Sequence, residues 1–127
     1  MPAVLIVDDN PPIVELLTAI LAAKGFGVLA ADDAAGIETA LARCQPDLIL
    51  MDMLLRGSDG LTLTRKLKGD PGTCDIPIIA LTGLATADDE ARALQAGCIG
   101  YLSKPFRPQA LLDLMHQVLS RRGAASP

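Results

Sequence analysis

Five short apolar runs, each followed by a stretch of helical periodicity, constrain this chain more than any other feature. The runs are "AVLIVDD" from residue 3, "FGVLAAD" from 26, "PDLILMD" from 46, "IPIIALTG" from 76 and "IGYLSKP" from 99. Strands this apolar that alternate with helices predict a parallel sheet buried on both faces. Right-handed crossovers then give a three-layer, doubly wound α/β fold, with five parallel strands and helices on both sides. The 127 residues suffice for one core of ordinary size. With two Phe, one Tyr and no Trp, that core is built from Leu, Ile, Val and Ala.

The helices carry their own punctuation. In "NPPIVELLTAILAAKG", Asn10 is placed to cap, Pro11 and Pro12 suit a first turn, and Gly25 ends the helix. Asp32 or Asp33 caps "AAGIETALARC". "GSDG" reads as a turn before "LTLTRKLKG", which Gly69 ends. "TADDEARALQAG" has acids in its first turn, where they complement the helix dipole. "RPQALLDLMHQVLSRR" closes the domain, taken as residues 1–122, and 123–127 read as a flexible tail.

A net charge of −4 with scattered basic residues argues against a nucleic-acid face. Arg121 and Arg122 fit a solvated helix end. Cys44, Cys74 and Cys98 are odd in number and lack any CxxC or Cys/His spacing, so small buried or half-buried thiols are expected. The lone His116 falls on a polar helix face and receives no role. No segment reaches the ~18 apolar residues of a membrane span, and the N-terminus has no basic run before its apolar one. The expectation is a cytoplasmic protein with neither nucleic acid nor membrane as a direct partner.

One residue breaks the pattern. Asp52 stands in "LILMDMLL", an otherwise uncharged run. A buried, unpaired carboxylate costs several kcal/mol or takes up a proton. The other strand ends supply a reason: the first finishes in Asp8 and Asp9, the fourth in Thr82, the fifth in Ser103-Lys104-Pro105. In a parallel sheet all these ends share one edge, and ligands of open α/β folds bind there. Three carboxylates side by side repel, at ~4 kcal/mol for a pair ~4 Å apart in an effective dielectric of 20. Lys104 offsets one charge. A hard divalent cation offsets two more, and an all-oxygen donor set suits Mg²⁺. Acid, metal, ammonium and hydroxyl together match phosphoryl transfer, in which a carboxylate can be the acceptor.

At this point the chain resembles the response-regulator receiver domains of two-component signalling. The resemblance rests on "VDDN", "LILMD" followed by "DG", "ALTG" and "YLSKPF", in order, and spans about residues 3 to 121. It implies the flavodoxin-like strand order 2-1-3-4-5. It also implies that Asp52 accepts a phosphoryl group from a histidine kinase or phosphotransfer protein. Asp9 binds Mg²⁺ directly, Asp8 largely through water, and the Leu54 carbonyl completes the protein ligands. Thr82 and Lys104 hold phosphoryl oxygens, and Lys104-Pro105 is a cis peptide. Tyr101 is the switch aromatic, so that the fourth helix, fifth strand and fifth helix present a changed surface to a downstream protein. Arg56 stands where many members have proline, which bears on the loop after the third strand.

Leu54 and Leu84, two residues past Asp52 and Thr82, flank the path of an attacking water and cannot orient it, so slow autodephosphorylation is expected. The chain reads as a stand-alone receiver rather than an enzyme; a receiver from a longer regulator or hybrid kinase is the alternative. A phosphohydrolase with an aspartate nucleophile commonly has a second acid two residues on, where Leu54 stands. The intact acid, Thr and Lys set argues against a phosphorylation-independent scaffold.

Overall fold

The computed structural model describes residues 2–55, 58–83 and 87–125. Strands of the main sheet, numbered in chain order, are β1 (Ala3–Val7), β2 (Gly27–Ala31), β3 (Leu48–Asp52), β4 (Ile78–Thr82) and β5 (Gly100–Ser103). The helices are α1 (Pro11–Ala23), α2 (Ala34–Arg43), α3 (Gly60–Lys68), α4 (Ala87–Ala96) and α5 (Pro108–Ala125). All pairings in the five-stranded sheet are parallel, in the order β2-β1-β3-β4-β5. This is the expected flavodoxin-like arrangement.

The uninterrupted apolar runs have a simple cause. Successive strand residues point to opposite faces, and both faces are covered. Val4, Ile6, Leu48, Leu50, Ile79 and Leu81 pack with Leu17 and Leu21 of α1 and with Leu111, Leu112, Met115 and Val118 of α5. The alternate residues, Leu5, Val7, Ile49, Met51, Ile78 and Ala80, pack with α2, α3 and α4 through Ile37, Ala40, Leu63, Leu67 and Ala93. Every residue of β3 is buried.

Local details depart from the sequence reading in instructive ways. Asn10 occupies the cap position of α1, but its side chain makes no capping hydrogen bond. Pro12 has no N–H to offer, and the Ile13 N–H donates to the Asn10 carbonyl instead. Asp33 caps α2 by accepting from the Gly36 N–H at 2.7 Å. "GSDG" is more than a turn: Asp59 caps α3, accepting from the Leu61 N–H at 2.9 Å, and Leu54–Leu55 pairs antiparallel with Ser58–Asp59. The α5 helix runs to Ala125, past the Arg122 at which the sequence reading closes the domain. Arg56 and Leu84 lie outside the described residues. No helix is long and apolar enough to cross a membrane among the described residues.

The cysteines are unbridged; Cys98 is buried, Cys74 half-buried and, unlike the expectation, Cys44 exposed. Burial pushes the Cys98 thiol up to about 11, against smaller lowering effects of Thr64 and Lys68. An acid whose native pKa is raised keeps full stability below its unfolded pKa of 9.0 and loses it as the unfolded chain ionises first. Urea unfolding should therefore show wild type losing roughly 2–3 kcal/mol more than Cys98→Ala between pH 9 and 11. Parallel losses would contradict the burial argument.

Candidate functional site

Strand geometry carries five polar side chains to the C-terminal edge of the sheet. Asp8 follows β1 directly and Asp52 ends β3, both on the residue parity that elsewhere faces α1 and α5. Thr82 ends β4 on the opposite parity, which it shares with Tyr101 of β5. Lys104 follows β5, its N–H donating to the Thr82 carbonyl at 2.6 Å, and the Lys104-Pro105 peptide is cis as expected.

The carboxylates converge. One oxygen each of Asp8, Asp9 and Asp52 lie within 4.8 Å of one another. Asp8 and Asp52 are buried and Asp9 is half-buried. The Lys104 Nζ donates to Asp8 Oδ2 at 2.9 Å and stands 3.6 Å from Asp52 Oδ2. Backbone amides contribute as well: the Asn10 N–H donates to Asp8 Oδ1 at 2.9 Å and the Leu54 N–H to Asp52 Oδ1 at 3.1 Å. Asp52 is held above the usual carboxylate range. Burial is the main cause, opposed by the Leu54 hydrogen bond, with Asp8 raising, Lys104 lowering and Asp9 raising it further.

The three carboxylates and the Lys104 ammonium together carry a formal charge of −2. The donor set is all oxygen, one oxygen of each acid lies within 4.8 Å of the others, and the residues fit Mg²⁺. An acid that reaches the ion through water, as expected for Asp8, needs no closer approach.

A second feature lies beside the first. A cavity of about 280 Å³ is bordered by Leu54, Asp59, Thr82, Asp89, Arg92 and Tyr101. Thr82 is buried, Tyr101 half-buried, and Leu54 58% exposed at its rim. Burial raises the Tyr101 phenol above its ordinary value, with Asp89 and Glu90 adding to it. The sequence reading missed Asp59, Asp89 and Arg92 as neighbours of the site. It also missed Gly60, whose signal was the "DG" pair eight residues past Asp52.

The sequence matches the family described as the response regulator receiver domain over residues 4–116. The chain belongs to the response regulator receiver family. As a receiver domain it is a phosphoacceptor signalling module, not an enzyme of the ordinary kind. It is 39% identical over 120 residues to the phosphate regulon transcriptional regulatory protein PhoB of Pseudomonas aeruginosa, covering 94% of this chain and 52% of that protein. The receiver domain spans about half the length of the curated relatives it matches. Among solved structures, a response regulator from Chloroflexus aurantiacus aligns with a TM-score of 0.88 and 32% identity, over 94% of this chain and 98% of that one. The receiver domain of the sensor histidine kinase PA1611 from Pseudomonas aeruginosa aligns with a TM-score of 0.84 and 33% identity, again over 94% and 98%. That structure has a magnesium ion coordinated in its active-site cleft.

The electrostatics of the cluster set a stability test. With chelator present at pH 7, Asp52→Asn should stabilise the receiver domain by about 1 kcal/mol, since a buried charge is removed. Adding Mg²⁺ should erase or reverse that gain, because only wild type keeps the full ligand set. Urea unfolding of both proteins with EDTA and with Mg²⁺ measures it; an unchanged difference would refute the cation assignment.

Proposed function

We propose that Asp52 is the phosphoacceptor of this receiver and takes its phosphoryl group from a histidine kinase or phosphotransfer protein. The observation that carries the proposal is the Asp52 carboxylate, buried 3.6 Å from the Lys104 ammonium and within 4.8 Å of two further acids. Asp52 attacks phosphorus, an O–P bond forms, and the P–N bond of the donor phosphohistidine breaks with the electron pair leaving on the imidazole nitrogen.

Asp9, Asp52 and the Leu54 carbonyl would hold Mg²⁺ directly, and Asp8 through water. When bound, the ion neutralises charge on the phosphoryl oxygens and the acceptor. Lys104 holds one phosphoryl oxygen, and its present contact with Asp8 keeps it aimed at the site. Thr82 donates its hydroxyl to another. The parity shared by Thr82 and Tyr101 supports the switch: Thr82 moves toward the phosphoryl group, and the Tyr101 ring enters the space between them. The surface of α4, β5 and α5 then changes for a downstream protein.

The exposed Leu54 rims the site without a polar atom on its side chain, which supports a long-lived phosphorylated state. Leu84 is the second residue of that expectation.

Two measurements test the reading. Incubation with acetyl phosphate and Mg²⁺ should add one phosphoryl mass to wild type and none to Asp52→Asn, and chelation should abolish the gain; equal labelling of both proteins would refute the acceptor assignment. Decay of the phosphorylated species should be roughly tenfold faster in a Leu54→Asn, Leu84→Glu variant, less than the ~10²–10⁴-fold of a fully positioned proton acceptor. Equal or slower decay in the variant would remove the two leucines from the account.

A further inference from the structure

We infer that Gly60 is a positioning residue for the cation and the acceptor, acting through its lack of a side chain. The inference rests on the function proposed above. Gly60 opens α3 and is buried against the end of β3. A Cβ added to it would fall on the Asp52 carbonyl oxygen, 2.7 Å from the Met53 Cα and 3.1 Å from the Asp52 carbonyl carbon. All three atoms are backbone, so no side-chain rotation relieves the overlap. Its φ is not positive, so conformational freedom is not the reason for glycine here. The reason is close approach.

That approach closes a short circuit of bonds around the site. The Gly60 N–H donates to the Met53 carbonyl at 3.3 Å, and Asp59 pairs with Leu54 across the antiparallel ladder. The Met53 N–H donates to the Leu81 carbonyl at 2.9 Å, next to Thr82. The Leu54 N–H holds Asp52 Oδ1. Moving α3 outward to admit a methyl group therefore shifts the Asp52–Leu54 backbone. Both the acceptor carboxylate and the Leu54 carbonyl sit on that backbone. An octahedral ion with bonds near 2.1 Å tolerates little such displacement.

If opening of the Gly60 contact disrupts the cation site, ligand linkage makes Mg²⁺ suppress that opening by the factor 1 + [Mg²⁺]/Kd. Calorimetric titration of wild type first gives Kd. No binding at all would overturn the proposed function itself. With Mg²⁺ at about nine times Kd, amide exchange of Gly60 followed by NMR should slow roughly tenfold. The Gly69 amide, bonded to the Arg65 carbonyl at the far end of α3, should not change. Binding with unchanged exchange at Gly60 would overturn the inference and leave the function standing. In parallel, Gly60→Ala should weaken Mg²⁺ binding roughly tenfold or more, whereas Val118→Ala, which loosens the core further along α5 and away from the site edge, should keep wild-type affinity. Equal affinities for Gly60→Ala and wild type would equally overturn it, and the exchange measurement stands alone should Gly60→Ala not fold.

Discussion

The ion pair between Lys104 and Asp8 is the interaction on which the site depends. It joins the end of the first strand to the residue after the last, 96 positions apart. The same ammonium stands 3.6 Å from Asp52, so one cation serves two acids of a cluster that burial makes costly. Partial compensation suits the proposed cation: the ammonium opposes Asp8 and Asp52, and the negative charge that remains favours a divalent ion.

The sheet separates two tasks by residue parity. Asp8 and Asp52 continue the rows that pack on α1 and α5, whereas Thr82 and Tyr101 continue the rows on the side of α2, α3 and α4. The chemistry proposed for Asp52 and the rearrangement proposed for Tyr101 thus fall on different faces, with Thr82 at the edge between them. The cavity of about 280 Å³ bordered by Thr82 and Tyr101 would admit the proposed ring movement without displacing close-packed core.

Much of this was legible in the sequence, for a physical reason. Asp8, Asp52, Thr82 and Lys104 interrupt or end apolar runs, and in a parallel sheet such interruptions all fall on one edge. The acids, the ammonium and the strand order followed from that pattern and from the family resemblance it carries. What was not legible depends on tertiary contact. Gly60 reads as a turn residue until the end of β3 is placed against it. Asn10 is a local matter instead: Pro12, visible in the sequence, lacks one of the N–H groups from which a cap accepts. Asp59 hides in a turn motif although it caps α3. The reach of α5 to Ala125 defies Gly123, a weak helix former whose cost is small near a terminus. Exposure of Cys44 depends on where α2 ends relative to the sheet, which periodicity alone does not fix.

The central claim is that one divalent ion binds among residues from two distant segments, the ends of β1 and β3. An anomalous difference map from a crystal soaked in Mn²⁺, a hard oxygen-seeking ion of the same charge, tests it most directly. The account expects a single strong peak at the C-terminal edge of the sheet, with Asp9, Asp52 and the Leu54 carbonyl within about 2.3 Å. A peak elsewhere, or one that leaves Asp52 out of the coordination sphere, would contradict it.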